Sequence, residues 1–292
     1  MKNSYHQSVM VGQVVDQLHV KKGSSYIDAT LGTGGHTLEI ANKGGMVLGI
    51  DADLEMITVA KKRMKGLKNI KLVQGNFVTI DKIAKENDFP EVDGVLFDLG
   101  VSNIHLKNLE RGFSFENPEA DLDMRLDPNT QGVKASDLLN VLREDQIEDL
   151  FAVTLEPGAA KWITGRVLHS RAAKPISKVS DLLEICEGLK TGKTGLREGT
   201  LPFLALRIAV NSELDNLREV LPKAFDLLKP EGRIVVISFH SKEDEIVKEF
   251  FKEKNLRLQA RLITFSPVRA SITEVSVNRR ARSAKMRVIE KS

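Results

Sequence analysis

Two carboxylates and a glycine-rich turn stand close together near the start of the chain. An apolar run ends at Asp28, a turn follows over Gly32–His36, and a second apolar run ends at Asp51. Glycines let the backbone approach a ligand closely, and an acid at the end of the second strand of a parallel sheet is suited to ribose hydroxyls. The pattern predicts a site for a nucleotide-type ligand. A glycine-rich surface turn without a ligand is the alternative.

The same residues indicate which ligand would fit. A dinucleotide fingerprint has a third glycine three residues after the second, where the helix N-terminus receives a pyrophosphate. Here Thr37 occupies that position, and Asp28 before the turn would repel a diphosphate but suits a cation. S-adenosylmethionine (SAM) combines a ribose with a sulfonium and an ammonium group and has no phosphate. The residues therefore predict the core of a SAM-dependent methyltransferase.

Alternating strands and helices would hold these residues at one edge of a sheet. Such alternation is typical of a parallel, doubly wound sheet with helices on both faces. The predicted fold class is α/β, a Rossmann-like SAM-dependent methyltransferase sheet with a helical insertion domain. The predicted strands cover 25–29, 46–50, 70–73, 94–97, 233–238, 256–265 and 284–289, and the predicted helices 37–42, 54–64, 80–85, 213–228 and 243–251.

The alternation is interrupted after Asp98. Helices without intervening strands are predicted over 137–142, 160–169 and 181–189, with Ser136 and Ser180 as N-caps of the first and third. We expect a SAM-binding domain over 1–104 and 206–292 and a helical, substrate-recognition insertion over 105–205. The insertion leaves from the carboxyl end of a strand, where ligands bind in open α/β sheets, so it would form half of a substrate cleft.

The composition fits a soluble globular protein. The chain has 292 residues, of which 41% are hydrophobic and 28% charged. No apolar stretch has the length of a membrane span, and the first residues do not resemble a signal peptide. The one cysteine, Cys186, excludes an internal disulfide and a cysteine-rich zinc site, and its apolar helical setting predicts a core position. We expect a cytoplasmic protein.

The charge is distributed unevenly along the chain. Residues 255–292 contain nine Lys/Arg and two Glu, an excess of +7, whereas the net charge of the whole chain is +3, which leaves −4 for residues 1–254. A basic C-terminal segment on a nearly neutral body predicts contact with an anion such as nucleic acid. Ordinary surface lysines and arginines explain the charge equally well.

Several further motifs occur in order along the chain. They are Asp-Leu-Gly-Val-Ser (98–102), Glu-Arg-Gly-Phe-Ser-Phe (110–115), Leu-Asp-Met-Arg-Leu-Asp (122–127), Val-Asn-Ser-Glu-Leu (210–214), Ile-Ser-Phe-His-Ser (237–241) and Arg-Ala-Arg-Ser (280–283). With these motifs the chain resembles the RsmH/MraW family of bacterial 16S rRNA (cytosine-N4)-methyltransferases from Tyr5 to the last strand. The resemblance implies SAM-dependent methylation of N4 of one cytosine in the decoding centre of 16S rRNA.

The resemblance also implies a set of cofactor contacts. At three places the chain departs from the family. His105 stands where glutamine is usual, and Arg279 replaces a proline. The segment 197–203 stands where the family commonly has a His-Pro-Ala-Thr-Arg-like run, so the basic side chain of that run is missing. The implied SAM-binding residues are Gly34, Gly35, His36, Asp51, Phe77, Asp98 and His105.

Three residues are candidates for catalysis. Cytosine N4 is a poor nucleophile because its lone pair is delocalised, so an acceptor near the amine hydrogens would help. Asp98 at the end of the fourth strand is the best-placed acceptor, and Ser102 or nearby carbonyls could share the task. His240 would hold the target nucleotide or shape the pocket. The alternatives are that Asp98 only binds the cofactor and that His240 is a buried, hydrogen-bonded histidine.

RNA contacts are predicted at three arginines. Arg280 and Arg282 stand two apart in a predicted strand and would face the same side, and Arg111 is the third. Phe113, Phe115 and Phe239 would stack on a flipped base or belong to the core. Asp121, Asp123 and Asp127 are predicted to form ion pairs rather than a metal site, so no metal is expected.

Other functions remain open at this point. A SAM-dependent enzyme that acts on another RNA, a small molecule or a protein is one alternative, and a non-catalytic RNA-binding factor is a second. The expected partner is 16S rRNA, within the small ribosomal subunit. No membrane contact is expected, and the protein would be a monomer or a homodimer.

Overall fold

A computed structural model describes residues 8–102, 104–105, 109–192 and 195–292. The chain divides into two compact units, Met1–Ser102 with Leu214–Ser292 and Asn103–Glu213. Tyr5, where the family resemblance begins, lies outside the described residues. Among the described helices, none has the length and apolar character needed to cross a membrane.

The first unit is built on a seven-stranded sheet. Its order is β3-β2-β1-β4-β5-β7-β6; strands β1 to β5 pair in parallel, and β7 is antiparallel to both neighbours. This confirms the predicted Rossmann-like fold class. The strands are β1 (Ser25–Asp28), β2 (Met46–Asp51), β3 (Ile70–Gln74), β4 (Val92–Asp98), β5 (Leu228–Ser238), β6 (Ala260–Leu262) and β7 (Lys285–Lys291).

Helices cover both faces of this sheet, because its central strands carry apolar side chains in both directions. Ile27, Val95 and Val236 belong to one buried cluster, and Val47 and Val235 belong to another. This burial on both faces is why the central strands read as continuous apolar runs. The helices are α1 (Val11–Gln17), α2 (Gly35–Asn42), α3 (Leu54–Arg63), α4 (Ile80–Glu86), α10 (Glu213–Asp226), α11 (Ser241–Leu256) and α12 (Ile272–Val277).

The C-terminal part of this unit differs from the prediction. The strand predicted over 256–265 is wrong except at Ala260–Leu262, because α11 continues to Leu256. Leu256 and Leu258 are 71% and 85% exposed, so their apolar character does not mark a buried strand. The strand predicted over 284–289 is present as β7, and Arg279–Ser283 forms a 3₁₀ helix.

The second unit is helical. Lys134 and Lys178 are the N-caps of α5 and α8, so the predicted caps Ser136 and Ser180 are wrong. In both helices an aspartate at the third helical position, Asp137 or Asp181, accepts a hydrogen bond from the N-cap amide at 2.8 Å. Helices α6 and α9 were not predicted. The helices are α5 (Ala135–Val141), α6 (Glu144–Ala152), α7 (Pro157–Ala173), α8 (Val179–Cys186) and α9 (Thr200–Val210).

Cys186 lies in the core of this unit, as predicted. Its side chain is buried on α8, and burial raises the pKa of the thiol to about 12. A thiol with so high a pKa stays protonated at neutral pH, and it is therefore a poor nucleophile.

Candidate active site

Three aspartates mark the carboxyl ends of neighbouring parallel strands. Asp28 ends β1, Asp51 ends β2 and Asp98 ends β4, and these strands are adjacent in the order β2-β1-β4. Carboxyl ends of parallel strands meet at one edge of the sheet, which is where ligands bind in open α/β folds. The fold thus brings together the acids that the sequence singled out.

Asp51 organises the glycine-rich turn. Its carboxylate accepts hydrogen bonds from the Gly32 amide at 2.7 Å and from the Asp53 amide at 2.9 Å. Asp53 in turn caps α3 by accepting from the Glu55 amide at 2.8 Å. The Asp51 side chain is only half-buried, so it remains accessible to a ligand at the sheet edge.

Backbone conformation and packing favour glycine at two positions of the turn. Gly34 precedes α2 with φ of 78°, and a Cβ there would collide with Met64. A Cβ on Gly35 would collide with the side chain of Ser8. The turn therefore packs closely against the side chains of Met64 and Ser8 as it passes the ends of β1 and β2.

His36 lies between the strand ends and the N-terminal segment. Its ring is buried, with Nε2 2.9 Å from the Val9 carbonyl and Nδ1 3.8 Å from Asp98 Oδ2. A carbonyl only accepts, so Nε2 carries a proton and donates it to Val9. Thr37, the next residue, donates its hydroxyl to Asp28 Oδ2 at 2.7 Å.

The electrostatics of this cluster favour a ligand that brings donors or positive charge. Burial raises the pKa of Asp28, and His36 offsets part of that rise. Burial likewise raises the pKa of Asp98, while His36 and Arg280 oppose the rise. Asp98 Oδ1 is buried, and among the described residues it has no hydrogen-bond partner. An unsatisfied buried oxygen costs free energy, so a bound amine or ammonium would stabilise this site.

Phe77 lies beyond the end of β3. It begins a 3₁₀ helix over Phe77–Thr79, is half-buried, and makes an edge contact with Phe97 at a centroid distance of 5.9 Å. A half-buried ring after the third strand is a suitable surface for a flat heterocycle. Asp51 and Asp98 thus offer carboxylate acceptors and Phe77 an aromatic surface, the groups that the sequence predicted for the ribose, amine and adenine of SAM.

The two remaining catalytic candidates already have partners in the protein. The Ser102 hydroxyl donates to Met56 Sδ at 3.3 Å. His240 caps α11: Nδ1 accepts from the Glu243 amide at 3.4 Å, and Nε2 lies 3.0 Å from Glu243 Oε1. His240 is therefore a hydrogen-bonded, largely buried histidine. Its catalytic role and that of Ser102 remain predictions.

The geometry expected for Arg280 and Arg282 is wrong. They lie in the 3₁₀ helix Arg279–Ser283. Residues two positions apart in such a helix are rotated by about 240° around its axis, so the two side chains do not face the same side. The Arg280 guanidinium donates to the Val101 carbonyl and lies 5.4 Å from the Phe239 ring centroid, whereas Arg282 is exposed. The Asn278 side chain starts this turn by accepting from the Arg280 amide at 3.3 Å.

Two predicted site residues belong to the second unit. His105 is buried, with its ring 5.4 Å from that of Phe113. Arg111 donates to the carbonyls of Arg125 at 2.6 Å and Leu126 at 2.9 Å. Their contacts with SAM and RNA remain predictions.

Ion pairs are predicted for Asp121, Asp123 and Asp127, and the structure shows them for the first two, whereas the Asp127 carboxylate accepts from the Asn129 amide at 3.1 Å and the Thr130 hydroxyl at 2.7 Å. Asp123 pairs with Arg125 at 2.7 Å, and Asp121 pairs with Lys178 at 2.8 Å. These hydrogen-bonded partners explain their positions in the irregular segment before α5.

Sequence reasoning missed two threonines that support the site. The Thr30 hydroxyl accepts from the Asp98 amide at 2.6 Å, and Thr37 binds Asp28 as described above. Thr30 lies just after β1, and Thr37 lies in the first turn of α2. These positions were the only indication in the sequence that the two hydroxyls support the site.

The comparison with known families decides the assignment. The chain matches the MraW methylase family over residues 3–292. The chain belongs to this family. Membership confirms the predicted resemblance and, with it, a methyltransferase that uses SAM.

Named relatives agree with the family match. The chain is 38% identical to the ribosomal RNA small subunit methyltransferase H of Dictyoglomus turgidum, over 98% of this chain and 97% of that protein. Identity is 37% to the protein of the same name from Coprothermobacter proteolyticus, over 98% and 96%. It is 39% to that from Halothermothrix orenii, over 98% of each chain. A solved rRNA methylase from Streptococcus thermophilus is similar with a TM-score of 0.47 and 12% identity, over 98% and 99%.

Proposed function

We propose that this methyltransferase transfers a methyl group from SAM to N4 of one cytosine in the decoding centre of 16S rRNA. The observation that carries the proposal is the buried Asp98 Oδ1, which has no donor among the described residues and lies at the ligand-binding edge of the sheet. The names of the relatives, which specify ribosomal RNA of the small subunit, support the substrate.

Different residues of the first unit would bind different parts of the cofactor. Asp51 would accept hydrogen bonds from the ribose hydroxyls, and Phe77 would lie against the adenine. The acidic end of the site, with Asp28 and Asp98, would favour the positively charged methionine part. SAM supplies a methyl group on a sulfonium, which is a good leaving group.

The chain itself would supply positioning and a proton acceptor. The cytosine amine forms a new N–C bond while the C–S bond breaks, and the nitrogen then loses one proton. Asp98 Oδ1 would accept a hydrogen bond from that amine, which raises the electron density on nitrogen, and would take up the proton late in the step. The His36 ring lies beside the other carboxylate oxygen, with Nδ1 3.8 Å from Oδ2.

The decisive experiment is methylation of 16S rRNA that lacks the modification. Purified protein and labelled SAM should modify a single cytosine, with the label on N4. Small ribosomal subunits and free rRNA should be compared in parallel, which identifies the natural substrate. A label on another RNA, or only on small molecules from an extract, would contradict the proposal.

We also propose that the protein acts in the cytoplasm, where rRNA is made and assembled in bacteria.

RNA binding is expected to depend on Arg282. This side chain is exposed, and no carboxylate among the described residues pairs with it. Arg282→Ala should weaken RNA binding severalfold and reduce the slope of log affinity against log salt by about 1, with SAM affinity unchanged. Titrations at several salt concentrations measure both quantities.

A matched control is available at the residue that follows α11. Arg257 is also exposed but pairs with Glu253 at 2.8 Å, so Arg257→Ala should leave the salt slope unaltered. If Arg282→Ala binds RNA with the affinity and salt slope of the wild type, the 3₁₀ helix is not an RNA contact.

A further inference from the structure

The chain's single tryptophan lies on the surface of the second unit. Trp162 is on α7 and is 40% exposed, although a tryptophan is usually largely buried in a folded domain. The buried residues of α7, such as Ile163 and Val167, pack into the unit instead. An indole held outside the core is available to a partner.

Arg166 fixes one side of this indole. Its guanidinium carbon is 5.2 Å from the Trp162 ring centroid, and its Nη2 donates to the Glu184 carbonyl at 2.6 Å. The carbonyl holds the long side chain in place over the ring. The pair is therefore ordered before any partner binds, which lowers the entropy cost of binding.

Gly165 leaves the helix backbone uncovered one turn after the indole. Glycine destabilises the interior of a helix relative to alanine. A Cβ at this position would meet nothing within 4 Å, so packing within the described residues does not require glycine here. A partner that approaches the helix closely at this point would explain why a costly residue is tolerated.

The charge of α7 specifies the kind of partner. The helix contains Lys161, Arg166 and Arg171 and no aspartate or glutamate, in a chain with 40 acidic residues. Lys161, Trp162, Gly165, Arg166 and His169 are all exposed and share one side of the helix by their spacing. Cationic side chains around an aromatic ring suit an unpaired nucleotide, whose base stacks while its phosphate is neutralised.

We propose that this side of α7, the Trp162 surface, binds a single-stranded segment of the RNA substrate by stacking one base on the indole. Arg166 and Lys161 contact the adjoining phosphates, and Gly165 allows the backbone of the RNA to approach the helix. The inference rests on the proposed function, since it assigns a second RNA contact to the same enzyme.

The test measures binding of a 16S rRNA fragment that lacks the modification. Trp162→Ala should weaken binding about tenfold, whereas Trp162→Phe should retain most of the affinity because a ring remains. Val141→Ala, which shortens a 79% exposed apolar side chain of the same unit, should have no effect. Thermal unfolding checks that each variant is folded.

Gly165→Ala separates the RNA contact from a structural role. Alanine favours the helix, so this variant should unfold at a higher temperature and yet bind the RNA fragment severalfold more weakly. Gly12→Ala, at another helical glycine with open space around its Cβ, should raise the unfolding temperature without changing RNA affinity.

The outcomes distinguish this inference from the proposed function. If the wild type methylates rRNA but a folded Trp162→Ala variant binds the fragment as tightly as the wild type, the Trp162 surface is not an RNA site. Binding to poly-glutamate is measured in parallel. If Trp162→Ala loses binding to poly-glutamate but keeps its affinity for the RNA fragment, the surface suits an acidic protein partner and the inference is overturned. If the wild type does not methylate rRNA, the proposed function is refuted. The comparison of RNA binding between the wild type and Trp162→Ala still shows whether the Trp162 surface binds RNA.

Discussion

Replacement of Asp98 by asparagine is expected to lower the single-turnover rate of methylation about 100-fold at saturating SAM. Asparagine keeps the size of the side chain but loses its charge and its capacity to accept a proton. The buried oxygen that faces no donor among the described residues would become a neutral amide atom. The measurement is the single-turnover rate on unmodified small subunits as a function of SAM concentration.

The pH dependence gives a second test of the same residue. Burial raises the pKa of Asp98 above its usual value, so the protonated form persists at higher pH than for an exposed aspartate. An acceptor must be ionised, and the wild-type rate should therefore rise with pH as Asp98 loses its proton. In Asp98→Asn this rise of the rate with pH should be absent. If the variant shows the same rise as the wild type, the titrating group is another residue.

Asp93 provides a matched control for the substitution of Asp98. Asp93 lies on the same strand, accepts from the Ser25 amide at 2.8 Å and pairs with Lys229 at 3.0 Å. Asp93→Asn should alter stability but not the rate at saturating SAM. If high SAM restores Asp98→Asn to nearly the wild-type rate, Asp98 only binds the cofactor, and Ser102 and the strand-end carbonyls become the candidates.

The sheet and its acidic edge could be predicted because their signals are local. A parallel strand buried on both faces is a continuous apolar run, and its end is marked by the first polar residue. Asp28, Asp51 and Asp98 each follow such a run, and the fold places them on adjacent strands. Parallel pairing alone then brings them to one edge of the sheet.

The supporting contacts could not be predicted, because they join distant parts of the chain. Arg280 binds a carbonyl 179 residues earlier, and the Met10 amide donates to Glu274 at 2.6 Å across 264 residues. No local pattern encodes such pairs. The apolar residues after Leu256 misled the prediction for a related reason: periodicity shows that a residue is apolar, whereas tertiary structure decides whether it is buried.

The orientation of the glycine-rich turn depends on one of the predicted acids. Asp51 was singled out for the ribose, but its carboxylate also binds the amides of Gly32 and Asp53. Its two oxygens can each accept more than one hydrogen bond, so both tasks are compatible. One residue thus shapes the turn and presents an acceptor at its edge.

Asp51→Ala is expected to weaken SAM binding at least tenfold. Hydrogen bonds to a charged acceptor contribute about 1.5–3 kcal/mol each, and the ribose diol would lose two of them. The turn would also lose its anchor at the Gly32 amide, which adds to the loss of affinity. Calorimetric titration of SAM measures the affinity, and thermal unfolding shows whether the sheet is intact.

A neighbouring acid separates the ribose contact from general damage to the turn. Asp53→Ala removes the N-cap of α3, where Asp53 accepts from the Glu55 amide at 2.8 Å, and should lower stability by about 1 kcal/mol. It should change SAM affinity much less than Asp51→Ala does. Equal losses in the two variants would indicate that the shape of the turn, rather than the Asp51 carboxylate, determines binding. Wild-type affinity in a folded Asp51→Ala protein would remove Asp51 from the cofactor site altogether.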